Sequence, residues 1–251
     1  KYKIEFICLN SQKIKKYLKK DIKIHIIKSP KTIFAIFKVR KIIQNNLKKE
    51  YKKIVFFSNQ NFANILSYLI TYNLGTELKT VAIERNHISE LFTYFGIKDF
   101  FNKLIIKNLM KLTYNKFDQI IGNSKELSKD LGNYLNLKIY TVYNSVLNNH
   151  YKKSREKNNK KTIINVGRLE KQKDQATLIK AINLVNKKLD VNLIIIGNGS
   201  QYQKLNQLIR HLHLEKKVKI ITNITEPATF YKKSDLFVLT SLYEGFPNVI
   251  A

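Results

Sequence analysis

Short, almost wholly apolar runs alternate along this chain with longer stretches in which apolar residues recur every three or four positions. The short runs read as strands and the longer periodic stretches as amphipathic helices. In the first half the strand pattern falls at residues 4–9, 22–27, 53–58, 80–84, 119–122 and 139–143. Helix patterns lie between them: 33–47, with Ile36, Val39, Ile43 and Leu47 on one face, then 62–72, 99–111, and 125–135 behind Ser124 as N-cap. Residues 148–161 then turn polar and charged, as a linker does. Beyond them the alternation restarts, with strands at 162–166, 191–196, 218–221 and 236–239. The intervening helices carry Leu178, Ala181, Ile182 and Val185, then Leu205, Leu208, Ile209 and Leu212, and a short one spans 227–233. Strands alternating with helices predict an α/β protein with mainly parallel, doubly wound sheets. The expected organisation is a first domain over 1–150, a linker over 151–161 and a second domain over 162–251. Strand 4–9 reads as the second of its domain, so the first strand is expected to be missing.

In such sheets ligands bind at the loops that follow the strand C-termini, so few segments are candidates for chemistry. After strand 162–166 comes Gly167-Arg168-Leu169 with Lys173 nearby. Gly admits close backbone approach, Arg offers a planar fork to phosphate oxygens and Lys adds a mobile positive charge, a set suited to a diphosphate. After strand 191–196, Gly197-Asn198-Gly199-Ser200 permits a tight turn and close approach of a ligand; tight strand-to-helix turns also use this pattern for backbone reasons alone. The final strand delivers Glu244 onto the turn Gly245-Phe246-Pro247. Asn248-Val249-Ile250-Ala251 reads as the opening of a helix, whose free N–H groups favour polar or anionic ligand atoms. In the first half, Glu84-Arg85-Asn86-His87 follows strand 80–84, and Asn123-Ser124 after strand 119–122 reads as a helix cap.

The pattern of Asp235, Ser241 and Glu244-Gly245-Phe246-Pro247-Asn248 resembles the donor-binding signature of retaining family 4 glycosyltransferases, which have the two-domain GT-B fold. Gly167-Arg168 with Lys173 resembles the motif in which that family neutralises the donor diphosphate and stabilises it as a leaving group. Gly197 and Gly199 match the family in order and spacing. Thr222 and Asn223 occupy the loop where relatives contact the nucleotide base, here without the usual Gly. Glu84, Arg85 and Asn86 resemble the acceptor-side segment of bacterial transferases that add an N-acetylhexosamine to a lipid-linked oligosaccharide or a surface polysaccharide precursor, and His87 stands where a polar residue abuts the transferred sugar. The resemblance therefore implies two Rossmann-like domains facing a cleft. It also implies a nucleotide-sugar donor, a UDP-sugar above others, and transfer to a glycan or lipid-linked acceptor. Glu244 is expected to accept hydrogen bonds from sugar hydroxyls, while the Gly245 and Phe246 amides bind sugar or phosphate oxygens. No metal or other cofactor is expected: Arg168 and Lys173 take the metal's role, and Asp-x-Asp does not occur. In the family a second Glu follows after seven intervening residues, one position beyond Ala251, so the chain is expected to be cut short there.

Lys and Arg number 46 against 18 Asp and Glu, a net charge of +28. So large an excess suits a polyanion, and it also follows from a coding bias that places Lys, Asn and Ile everywhere. No basic block is interleaved with aromatics as in a nucleic-acid binder, so the expected partner is an anionic membrane surface and no nucleic acid. The expected location is cytoplasmic, peripheral at the inner face of the cell membrane. The single cysteine, Cys8, lies in an apolar strand pattern and reads as a core residue in a reducing compartment. Two other readings stay open at this point: a basic nucleic-acid-binding α/β protein, and another GT-B enzyme such as a nucleotide-sugar epimerase or a phosphorylase.

Overall fold

The structure is a computed structural model of the 251-residue chain; it describes residues 3–9, 22–29, 32–48, 53–145, 161–224 and 227–250. The chain divides into two compact units, Lys1–Tyr143 and Asn144–Ala251. Of the expected linker, residues 151–160 lie outside the described residues, and Lys161 begins a strand.

In the first unit β1 (Glu5–Leu9) and β2 (Lys23–Ile27) pair in parallel. A second parallel sheet runs β3 (Ile54–Asn59), β4 (Leu78–Glu84), β5 (Gln119–Gly122) and β6 (Tyr140–Thr141), in that order. Helices α1 (Ile36–Leu47), α2 (Asn61–Thr71), α3 (Ile97–Thr113) and α4 (Lys125–Leu135) connect them. On α1, Val39 and Ile43 are buried one turn apart, with Ile36 and Leu47 packed against the same cluster of Ile27, Ile70 and Leu78. The expected first turn of that helix is instead a 3-10 turn, Thr32–Ala35. The second cluster joins Met110 of α3, Leu127 and Leu131 of α4, Ala82 of β4 and Ile120 of β5. Ser124 caps α4 by accepting from the Leu127 N–H at 3.2 Å, and Asn136 closes the helix in the left-handed region at φ +54°. Cys8 is half-buried rather than a core residue.

The second unit holds a parallel sheet of β7 (Lys161–Val166), β8 (Val191–Ile196), β9 (Val218–Ile221) and β10 (Leu236–Phe237) in the order β10-β7-β8-β9. Helices α5 (Gln175–Val185), α6 (Tyr202–His211) and α7 (Ala228–Lys232) complete it. Leu193 and Ile195 of β8, wholly buried, pack with Leu178, Ile179 and Ile182 of α5 and Leu205 and Ile209 of α6. The buried stripe of α5 is thus Gln175, Leu178, Ile179 and Ile182. Ala181 and Val185, which the apolar periodicity placed on the core face, are exposed, because at 100° per residue they lie to one side of that stripe. The last strand is two residues long rather than four. The Val238 N–H still reaches Ile164 O at 2.9 Å, but the Val238 carbonyl accepts from the Asn165 side-chain amide at 2.8 Å, so a side chain takes over from the ladder. Residues 247–250 form a turn closed by the Ile250 N–H on Pro247 O at 3.0 Å, where the opening of a helix was expected. No helix among the described residues is long and apolar enough to cross a membrane.

Candidate functional site

In the sheet of the second unit β8 lies on one side of β7 and β10 on the other, so the strand order reverses at β7. In open parallel sheets such a reversal leaves a crevice at the strand C-termini, and ligands bind there. The segments entering this crevice are the loops after β7 and β10, which carry Gly167-Arg168 and Glu244.

These loops are tied to each other and to the loop after β8. The Gly167 N–H donates to Ile196 O and the Leu169 N–H to Asn198 O, both at 2.9 Å, and the Gln201 N–H donates to Leu169 O at 2.8 Å. A Cβ on Gly197 would stand 1.8 Å from Gly167 O, and one on Gly199 would stand 2.4 Å from Leu169 O. Both glycines are therefore required by the approach of two protein backbones, the backbone reason that the sequence offered beside the approach of a ligand. Glu170 reinforces the seam by accepting from Ser200 Oγ at 2.7 Å and the Ser200 N–H at 3.0 Å, bonds that hold its carboxyl below the usual range.

Gly167 is different, since a Cβ there meets only the Lys173 methylenes at 3.7–3.8 Å. The Lys173 stem lies beside Gly167 and its ammonium donates to Glu244 Oε1, both side chains being mostly shielded from solvent. Arg168 is exposed and its Nη2 reaches Gln172 Oε1 at 3.4 Å. The β10 loop is stitched to residues 172–174: Gln172 Nε2 donates to Tyr243 O at 2.9 Å, the Leu242 N–H to Gln172 O at 2.8 Å, and Thr240 Oγ1 to Lys173 O at 2.9 Å. Gln175 Nε2, wholly buried, donates to Arg168 O at 3.0 Å. Gln172, Gln175 and Thr240 thus brace the cationic pair, and no sequence pattern marked them. Ser241 Oγ is buried without a hydrogen-bond partner among the described residues, a hydroxyl that a ligand oxygen would satisfy. Asp235 works as a clamp: its Oδ2 accepts from the Thr162 N–H at 2.9 Å and its own N–H donates to Thr162 O at 2.8 Å. Gly245, Phe246 and Pro247 are half-buried, and Asn248 is exposed with its Oδ1 accepting from Asn144 Nδ2 at 2.8 Å. After β9, Thr222 is half-buried and Asn223 adopts φ +60°, so Asn supplies the left-handed residue in a loop without Gly; its N–H donates to Asn198 Oδ1 at 3.3 Å.

In the first unit the structure separates the four residues 84–87 at the end of β4. Glu84 is only 4% exposed and turns inward, accepting at Oε1 from Tyr114 OH and from Asn64 Nδ2 at 2.8 Å. Burial pushes its carboxyl up to about 7 against those two hydrogen bonds. It therefore does not present itself to an acceptor, contrary to its expected place. Arg85 is exposed, and its carbonyl accepts from Asn123 Nδ2 at 3.3 Å. Asn86 is half-buried and hydrogen-bonds Glu90, whose carboxyl is raised chiefly by burial. His87 caps the short 3-10 helix Ile88–Phe92: Nδ1 accepts from the Ser89 N–H at 3.3 Å, which leaves the proton on Nε2, 2.8 Å from Asp130 Oδ2.

Residues 148–251 match the family "Glycosyl transferases group 1". Over 232 residues the chain is 32% identical to the N-acetylgalactosamine-N,N'-diacetylbacillosaminyl-diphospho-undecaprenol 4-alpha-N-acetylgalactosaminyltransferase of Campylobacter jejuni, covering 90% of this chain and 60% of that protein. Residues 148–251 are thus similar to the group 1 glycosyl transferases, and the chain has the GT-B fold. The chain is also 25% identical to the capsular polysaccharide biosynthesis glycosyltransferase CapH of Staphylococcus aureus, over 91% of this chain and 63% of that protein. Its fold is shared with Anabaena Alr3699/HepE in complex with UDP, at a TM-score of 0.70, 18% identity, and coverage of 99% of this chain and 77% of that one. The chain thus spans about three fifths of the length of these two curated relatives. The part matched by the group 1 family contains the whole braced site at the β7 reversal.

Proposed function

We propose that the protein is a retaining glycosyltransferase of family 4 type that moves an N-acetylhexosamine from a UDP-sugar to the hydroxyl of a lipid-linked glycan at an anionic membrane surface. The observation that carries this reading is the placement of Arg168, Lys173 and Glu244 together at the strand-order reversal beside β7. Arg168 and Lys173 would face the diphosphate and neutralise the charge that grows as the bond from the sugar to the phosphate oxygen breaks, with no metal needed for that role. Glu244, relieved of Lys173, would accept hydrogen bonds from donor sugar hydroxyls. Its carboxylate, already paired with a cation, suits positioning better than nucleophilic attack. The acceptor oxygen then bonds to the sugar carbon on the face that the diphosphate leaves. For the acceptor side, Arg85 and Asn86 are the first unit's candidates. His87 takes part only if its ring exchanges Asp130 for substrate. The nature of the two Campylobacter and Staphylococcus relatives supports a lipid-linked or polysaccharide acceptor.

The test is transfer from a panel of UDP-N-acetylhexosamines to a polyprenyl-diphosphate-linked sugar by the full protein, with the anomeric configuration of the product read by NMR. A product of retained configuration, absent in Arg168→Ala, is expected. An inverted product, or transfer unaffected by Arg168→Ala, would overturn the reading. The nucleic-acid and epimerase readings gain nothing from the site.

A further inference from the structure

Helix α3 is apolar on two faces. Its inner face carries Met110, buried with Leu127 and Tyr114, together with Ile106 and Leu109 packed on the same cluster. Its outer face carries Ile97, Phe100, Phe101, Leu104, Ile105 and Leu112, in which Ile97, Phe101, Ile105 and Leu112 follow at steps of four, four and seven and Phe100 and Leu104 lie beside them, hence along one side of the helix. These side chains are 39–79% exposed. A helix that buries one apolar stripe and exposes another lacks a partner on the second, and an apolar patch of this extent on a soluble surface marks an interaction site.

Charge identifies the partner. Lys98 flanks the stripe on one side and Lys107 and Lys111 on the other, while Asp99, the only acidic residue of the helix, faces inward and pairs with Lys103 at 2.8 Å. Tyr94, Phe100 and Phe101 contact edge to face at centroid separations of 5.1 and 5.5 Å, and Lys107 Nζ sits 4.6 Å over the Phe92 ring. Aromatic and aliphatic side chains fringed by lysines are the composition of a helix that lies in a bilayer interface, where rings enter the headgroup level and long cationic side chains reach anionic lipid. A second copy of the chain is disfavoured by the net charge of +28 that each copy carries.

We propose that the outer face of α3 is the surface by which this protein docks on an anionic lipid bilayer, Phe101 and Ile105 entering the interface and Lys98, Lys107 and Lys111 meeting lipid phosphates. The inference gives a location on the molecule to the membrane association contained in the proposed function, and rests on that reading only for its biological sense.

Vesicle co-sedimentation tests it, with phosphatidylcholine alone and with added phosphatidylglycerol, at physiological ionic strength. The variant is Phe101→Ser with Ile105→Ser, which leaves charge unchanged. Leu184→Ser on α5, 63% exposed in the second unit, is the control for loss of a surface apolar residue. Binding that requires phosphatidylglycerol, falls about tenfold or more in the double variant and is unchanged in the control is expected. Equal binding by wild type and double variant would show attraction by charge alone and overturn the proposal, as would failure of the wild type to bind. Analytical ultracentrifugation closes the alternative: a dimer that dissolves in the double variant would assign the face to a second copy. Circular dichroism confirms folding, since both sites are 57% exposed. UDP titration of the wild type beside its vesicle binding separates the two claims. Docking without UDP binding would contradict only the donor assignment, and UDP binding without docking only the present one.

Discussion

At Glu84 a carboxylate sits where water cannot reach it, held by Tyr114 OH and the Asn64 amide, and burial raises it from 4.5 to about 7. Because the folded value is above the unfolded one, the folded chain binds more protons between these limits. Its stabilising contribution is complete below about pH 4.5 and is lost as pH rises through 7, an effect on the order of 3 kcal/mol. Glu84→Gln keeps the acceptor oxygen for Tyr114 and removes the titration. Denaturation by urea at pH 5 and pH 8 should therefore show the variant gaining on wild type by about 3 kcal/mol at the higher pH. Parallel pH curves would mean that the carboxyl titrates normally. The family resemblance put Glu84 on the acceptor side with Arg85 and Asn86. Its inward turn depends on Tyr114 and Asn64, thirty residues later and twenty earlier, and no local pattern reports such a partner.

A second residue-scale consequence belongs to Glu244. Without a donor, its carboxylate neutralises Lys173. Glu244→Gln frees the ammonium for phosphate while removing an acceptor for sugar hydroxyls. Calorimetry should find UDP bound a few-fold more tightly than by wild type, and the extra affinity of a UDP-sugar over UDP abolished. Weaker binding of UDP itself would place Glu244 on the nucleotide rather than on the sugar.

Among the elements, the strands and helices were the most legible part. Strands of one type of pattern recur at 119–122, 191–196 and 218–221 with the bounds seen in the structure, and Ser124 announced the start of α4. What stayed hidden was how loops from different strands meet. Gly197 and Gly199 are legible as turn residues, yet their reason is the backbone of 167–169 lying against them. Gly199→Ala drives a Cβ to 2.4 Å from Leu169 O and 2.6 Å from its carbonyl carbon, atoms that cannot move without shifting the loop after β7. A loss of about 2–3 kcal/mol in folding stability is expected by thermal or urea denaturation, the scale of an overpacked interior, together with weaker UDP binding as Arg168 is displaced. Gly167→Ala, which meets only Lys173 methylenes, should cost less stability. Equal losses at the two positions would contradict the back-to-back packing of the loops. The end of β10 was misjudged for a related reason. An apolar run of four predicts four ladder residues, but the buried Asn165 amide takes the Val238 carbonyl and ends the ladder early.

For the whole molecule, two parallel α/β units, a group 1 family match over 148–251 and a fold shared with a UDP-bound structure agree on one architecture. The central claim is narrower: the loops after β7 and β10 form a diphosphate site. Calorimetric titration with UDP tests it most directly, wild type against Arg168→Ala and Lys173→Ala. Each variant should lose about tenfold to a hundredfold in affinity, the size of a charge-assisted hydrogen bond, with the fold intact by circular dichroism. If both bind UDP as wild type does, the diphosphate does not lie at the β7 reversal, and the donor site assigned to this chain is wrong.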